Sequence, residues 1–430
     1  MTRAFGGALP CAGALGFVIA GLLGAAGCGH SLVSEGQLRP AAFDRIVDRT
    51  ARARGIAPAG AIRTRVIAFA ELPGILSHAL AAEWTGAEIQ GYQEGLTTLG
   101  LWPAGRDLVR EIVAVYAEEV VGLYLPVERT LYLVDDAPGA WSLQRFSRWV
   151  RRDLERELIL AHEMVHFLQH QAFPSLMDPV PFWKSQDDVA AALQAALEGD
   201  ALHYGFTSLE LAPPAAAELR AALDENDRQR SHGALAEAPA LLRLTVSFPY
   251  AHGYSLSLRE GRSLLAAPPA STEQVLHPDK RLESFQAIDL SALRDALPAG
   301  CRAWFENTLG ELGLSVLLRD LGGPIKTSAW EGWDGDRWVA ADCDGRRELF
   351  WLTAWDSEAD AAEFAASYQR IAASVAERAS MASPPAARAS GREVRIATPG
   401  LAPLAAHLDV YARRARVSDL PGVREHFVSR

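Results

Sequence analysis

Two histidines four residues apart with a glutamate beside the first, in His162-Glu163-Met164-Val165-His166, are the residues in this chain best suited to chemistry. On a helix that spacing puts both imidazoles on one face, where they can reach a single cation. Glu163, next to the first histidine, could then accept a proton from a metal-bound water as general base. The competing reading is a pair of structural histidines. Against it, Leu154, Leu158, Ala161, Val165 and Leu168 form one apolar stripe, which makes the segment a core-anchored helix with the histidines beside the stripe.

Zinc needs a third protein ligand. A histidine ten residues after His162 would be one solution, but Ala172 stands there, and Gln169 provides no glycine break. His170 lies about 12 Å along the helix from His162, too far to share its metal. A carboxylate from the next helix remains, and Ala195-Ala196-Leu197-Glu198-Gly199-Asp200-Ala201 offers Glu198. The small residues Ala191, Ala195 and Ala201 would let this helix approach closely. Asp200 falls about 200° further round the helix and is expected to support a ligand imidazole from behind.

The elements needed to position these groups read as an α+β chain. Hydrophobic spacing predicts the metal helix over 148–171, ended by Phe173-Pro174, and a second helix over 187–211. Before them, 120–134 alternates like a hairpin turning at 126–130, with an edge that could take peptide main chain by strand addition. Residues 61–117 have helical spacing. Residues 215–230 and 240–262 also read as helical, the latter broken at Phe248-Pro249. Beyond Pro298 the pattern is helix over 303–321, strands over 337–339 and 348–353, helix over 357–377, a linker over 380–391 and a strand over 394–396. The division expected is signal peptide 1–27, tether 28–60, a domain over 61–297 that carries the metal helix, smaller α+β domain 298–400 and extension 401–430.

Composition limits the partners. The 430 residues are 49% hydrophobic and 22% charged, ordinary for a folded protein. A net charge of -11 argues against nucleic acid. At the start, Arg3 precedes an apolar run over 12–26 that suits a secretory signal. It ends Ala25-Ala26-Gly27-Cys28, which resembles a bacterial lipobox, with Ala25 where that motif usually carries Leu. Cys28 would then carry the lipid and tether the chain to a membrane of the bacterial cell envelope, periplasm-facing or outer. Cys11 would leave with the signal, so Cys301 and Cys343 remain as a candidate disulfide.

His162 to Gln171 (HEMVHFLQHQ), followed by ALEGDA, is similar to the gluzincins, the thermolysin-like clan with two histidines and a downstream glutamate. More narrowly, the chain resembles a largely uncharacterised family of bacterial zinc metallopeptidases. The resemblance covers roughly 115–365 and runs through Val120-Val121-Gly122-Leu123-Tyr124, Phe248 to Gly253 (FPYAHG), Ser271 to Pro278 (STEQVLHP) and Trp333 to Arg337 (WDGDR). His170 stands where that pattern usually has Asp. The resemblance implies a zincin-like catalytic domain over 61–297, one zinc per chain on His162, His166 and Glu198, and hydrolysis of peptide bonds by a metal-activated water.

Oxyanion stabilisers could come from His277, Tyr250, His252 or Tyr254, with His277 foremost because it lies in a polar loop. Trp330, Trp333, Trp338, Trp351 and Trp355 read as a core before a sugar or peptide groove. Two other functions fit the same residues: a non-catalytic zinc-binding envelope lipoprotein, and a hydrolase of cell-wall peptide amides. The intact Glu163 counts against the first.

Overall fold

The computed structural model of the protein describes residues 32–34, 36–135, 154–178, 181–210, 214–229, 232–323, 329–405 and 407–428. Cys28 and the expected signal lie outside them. The architecture is α+β, helical in the first two thirds and sheet-based in the last.

The expected tether instead contains a core helix, α1 (Pro40–Arg54). Proline starts it and Gly55, at φ 79°, ends it in the left-handed conformation that glycine adopts cheaply. Ile46, Val47 and Thr50 bury its inner face. Next comes β1 (Arg63–Ile67), where helical spacing was expected. It is followed by α2 (Leu72–Glu83), α3 (Gly86–Thr98) and α4 (Leu108–Glu119). Thr85 and Glu88 close the start of α3 by a reciprocal side-chain cap.

The hairpin is β2 (Gly122–Leu125) and β3 (Thr130–Val134). β3 is the middle strand of a three-stranded sheet, parallel to β1 and antiparallel to β2. β2 is therefore an edge strand, but all four of its residues are buried.

Two long helices cross the centre, α5 (Leu154–Ala172) and α6 (Asp187–Ser208). Every residue from Leu158 to His170 is buried, so α5 is enclosed on all sides rather than along one stripe. Of the small residues on α6, Ala201 packs on Val165 of α5. Ala195 instead meets a π-helical turn, Pro249–Gly253, set between α7 (Ala240–Phe248) and α8 (Tyr254–Glu260). The turn and α6 meet backbone to backbone. A Cβ on Gly253 would lie 1.9 Å from the Ala195 carbonyl oxygen, and one on Gly199 would lie 2.0 Å from the Gly253 oxygen. Only glycine fits either place.

The last third begins earlier than residue 298. After α9 (Thr272–Leu276), β4 (Phe285–Asp289) pairs with β10 (Arg413–Val417), so the expected C-terminal extension returns to complete a sheet. Between them lie β5 (Cys301–Asn307), α10 (Gly310–Gly322), β6 (Trp333–Cys343), β7 (Arg346–Trp355), α11 (Glu358–Arg378), β8 (Ala386–Ser390) and β9 (Glu393–Ala397). The sheet order is β8-β9-β7-β6-β5, antiparallel throughout. Alternate side chains serve two cores. Trp338, Ala340, Leu349 and Trp351 join the helical core, whereas Val339, Ala341, Phe350 and Leu352 pack with Ile288, Leu293, Leu401 and Leu408. Because both faces are covered, these strands show little polar alternation, and the sequence reading made them too short. The five tryptophans are buried parts of this core.

Two motif segments act as ties. Asp336 accepts from the N–H groups of Leu309 and Gly310 at the start of α10, and from the indoles of Trp333 and Trp351. Thr272 donates its backbone N–H to Asp188 on α6, and Gln274 donates to the carbonyls of Glu283 and Ser418. Cys301 and Cys343 face each other on β5 and β6 and form a disulfide.

Candidate metal centre

Helix α5 presents His162 and His166 one turn apart, and α6 brings Glu198 against them. His162 Nε2 lies 3.1 Å from Glu198 Oε2 and 3.1 Å from His166 Nε2, and His166 Nε2 lies 3.4 Å from the same carboxylate oxygen. Tetrahedral ligands at zinc bond lengths stand about 3.3–3.4 Å apart. The three atoms thus already form nearly the triangle that one cation needs. Among the described residues this is the one group of metal-capable side chains so converged, and all three members are buried. Two imidazoles and a carboxylate suit zinc and also other first-row divalent ions.

The charges agree with that fit. Burial disfavours the charged form of His162 and lowers its pKa, despite Glu198. Burial acts on His166 in the same sense, but the charge and hydrogen bond of Glu198 outweigh it and carry the pKa up to about 9. Burial alone would raise Glu198, yet the two histidines pull it down to about 2. A buried carboxylate between two imidazoles requires one positive charge among them, supplied either by a proton on His166 or by a metal. An ion bound there would take the place of that proton.

Glu163, 1% exposed, turns to the hairpin side, where its Oε2 accepts the Tyr124 N–H of β2 at 2.8 Å. Burial, with Glu198 adding to it, raises its pKa well above the carboxylate range, against His166 and the Tyr124 bond. The close approach depends on Gly122, since a Cβ there would meet Ile159 at 2.4 Å. This edge of β2 is thus partly engaged by α5 itself rather than standing open for strand addition.

Behind the ligands the arrangement differs from expectation. Asp200 does not touch a ligand imidazole directly. Gln169, three residues after His166, stands between them: its Nε2 donates to the Leu197 carbonyl and to Asp200 Oδ2, both at 2.9 Å. Its Oε1 then faces His166 Nδ1 at 2.8 Å. Since a carbonyl can only accept, His166 donates from Nδ1, which leaves Nε2 as the atom that would bind a metal. Glu198 is held by Gln194 on Oε1 at 2.8 Å and by the Tyr250 hydroxyl on Oε2 at 3.0 Å. Gln169 and Gln194 were legible in principle as helical neighbours, at i+3 and i−4 of a ligand.

The other singled-out residues lie apart from the ligand atoms. His277 bonds Glu311 of α10 at 2.8 Å. Tyr254 donates to the Pro214 carbonyl, and His252 stacks on Phe248. Of the four oxyanion candidates, Tyr250 is the one bonded to a ligand. His170 bridges the Tyr124 hydroxyl and Asp178.

Residues 301–417 match a family described as a domain of unknown function (DUF8575), a span covering the disulfide-bonded sheet and β10 but none of the metal-site residues. No curated protein and no solved structure matches the chain.

Proposed function

We propose that the chain is a zinc metallopeptidase of the gluzincin type with a zincin-like catalytic region, exported and tethered through a lipid on Cys28. The observation that carries this reading is the convergence of His162, His166 and Glu198 within 3.1–3.4 Å, with the Glu163 carboxylate one residue from the first ligand. His162 Nε2, His166 Nε2 and Glu198 Oε2 would hold the ion. Bound zinc supplies Lewis acidity, polarising the scissile carbonyl and making the attacking water more acidic.

The chain's own groups do the rest. Glu163 takes the proton from the attacking water and returns it to the leaving amine. The Tyr124 N–H orients that carboxylate through Oε2, leaving Oε1 to carry the proton. Gln169 keeps the His166 tautomer, and Tyr250 keeps Glu198 aimed at the histidines. Among the described residues no helix is long and apolar enough to cross a membrane.

The test combines metal analysis of the purified mature chain with cleavage of a proteome-derived peptide library. Wild type should hold about one zinc per chain and cleave. Glu163→Gln should keep the zinc and cleave roughly 10²–10⁴-fold more slowly. Undiminished cleavage by Glu163→Gln refutes the mechanism, and full zinc retention in the His162→Ala/His166→Ala double variant refutes the site.

A further inference from the structure

We propose that Arg54, at the end of α1, is a positioning residue for the metal ligand His166, so that the N-terminal helix forms part of the metal centre. This rests on reading His162, His166 and Glu198 as a metal site. The link is a continuous buried chain of hydrogen bonds. Arg54 Nε donates to Asp200 Oδ2 at 2.8 Å, and the same oxygen accepts Gln169 Nε2 at 2.9 Å. Gln169 Oε1 in turn receives His166 Nδ1 at 2.8 Å.

Each link constrains the next. An amide side chain can present either its oxygen or its NH₂ group to an imidazole, and its partners decide which. Were Gln169 reversed, its oxygen would face the Leu197 carbonyl and the Asp200 carboxylate, both acceptors, and its NH₂ would face His166. That orientation would ask Nδ1 of His166 to accept and put the ring proton on Nε2, the atom that must bind the metal. Arg54 sets its cation on the acceptor end of this chain. It thereby holds the Asp200 oxygen where Gln169 needs it.

The position of Arg54 is built rather than incidental. Its side chain is 3% exposed and that of Asp200 0%. A fully buried ion pair is a poor source of stability, because removing two charges from water costs about what their attraction returns. The guanidinium also lies over the Tyr204 ring of α6, 5.0 Å from its centre. Ala53 packs against the Val165, Ala201 and Tyr204 cluster between α5 and α6. From the other side, Arg262 donates to the carbonyls of Arg52 and Ala53 and pins the end of α1 without touching the relay. The contact between Arg54 and Asp200 spans 146 residues of sequence, so nothing local suggested it.

The experiment is zinc affinity of the full mature chain, by competition with a chromogenic chelator at fixed pH and salt. Arg54→Met should weaken zinc binding by roughly 10- to 100-fold, the usual effect of losing a group that orients a ligand. Arg54→Lys should recover part of that loss. Because the two residues act in series, Arg54→Met combined with Asp200→Asn should bind no more weakly than Asp200→Asn alone. Arg262→Met, which loosens the helix end but keeps the Arg54–Asp200 contact, should lower thermal stability and cost less zinc affinity than Arg54→Met. Wild-type affinity in folded Arg54→Met overturns the proposal, as does an equal loss in Arg262→Met. If Arg54→Met does not fold, Arg54→Lys and Asp200→Asn carry the test, and wild-type affinity in both overturns it. A wild-type chain that takes up no zinc removes the metal reading itself, an outcome distinct from the others.

Discussion

Replacing Gly253 by alanine tests the contact that brings Tyr250 to Glu198. In an ordinary helical position the change is favourable, by about 1 kcal/mol, because alanine is the better helix former. The backbone of Gly253 has helical angles (φ -63°, ψ -38°), so propensity alone predicts stabilisation. Packing predicts the opposite. The new Cβ would lie 1.9 Å from the Ala195 oxygen, whereas real Cβ atoms essentially never come within 3.0 Å. The turn must therefore retreat by about 1.1 Å, the difference between those two distances. Moving with it, the Tyr250 hydroxyl would go from 3.0 Å to about 4 Å from Glu198, beyond hydrogen-bond reach. Overpacking costs about 1–3 kcal/mol, and the lost bond to a charged group about 1.5–3 kcal/mol. Net of propensity, Gly253→Ala should destabilise by about 1.5–5 kcal/mol, and Tyr250→Phe by the hydrogen-bond share alone. Urea unfolding of the three proteins, with slopes compared, measures both. A Gly253→Ala protein as stable as wild type, or more so, would show that the backbones do not meet as described.

Other consequences are equally direct. Glu198→Ala should abolish tight zinc binding and Asp200→Ala only weaken it, read by metal titration; the reverse order would exchange their roles. His277 has a raised pKa, chiefly from its hydrogen bond to Glu311 against partial burial, with Lys280 opposing and Glu273 assisting. Its bond should therefore stabilise fully below the unfolded histidine pKa of about 6.5 and fade as pH rises through the higher folded value. The stability gap between wild type and His277→Gln should shrink over that rise, and a gap that widens with pH would refute the assignment. Asp336→Ala strands four donors, two of them backbone N–H groups at the start of α10. At about 1–3 kcal/mol for each buried orphan, the loss should exceed 3 kcal/mol by thermal or urea unfolding, and a loss below 1 kcal/mol would contradict the described network.

What could be read before the structure was whatever local spacing controls. His162 and His166 share one helix face by arithmetic, with Glu163 beside the first, and Glu198 stands in a helical run of small residues. Longer-range relations were hidden. Residues 303–321 were read as one helix because apolar residues fill the stretch, yet β5 ends at Asn307 and α10 begins at Gly310. Gly310 explains the break: it has φ 70°, and a Cβ there would lie 1.8 Å from Asp188 Oδ1. Its partner is remote in sequence, so the constraint left no local trace. The same holds for α1, whose buried face becomes meaningful only once α5 and α6 lie beside it. Residues 380–391 looked like a linker because β8 is an exposed edge strand of small and polar residues; its turn to β9 is the pair Gly391-Arg392.

The pairing of β4 with β10 bears on how the chain is made. Arg413 bonds Asp289 across 124 residues of sequence. An exported chain emerges N-terminus first, so an interval separates β4 from its partner 124 residues later. Throughout that interval Phe285, Ala287 and Ile288, all buried at completion, belong to a strand with an open hydrogen-bonding edge. Such edges recruit other chains. A chain in this state has reason to depend on a holding chaperone on the side of the membrane where it folds.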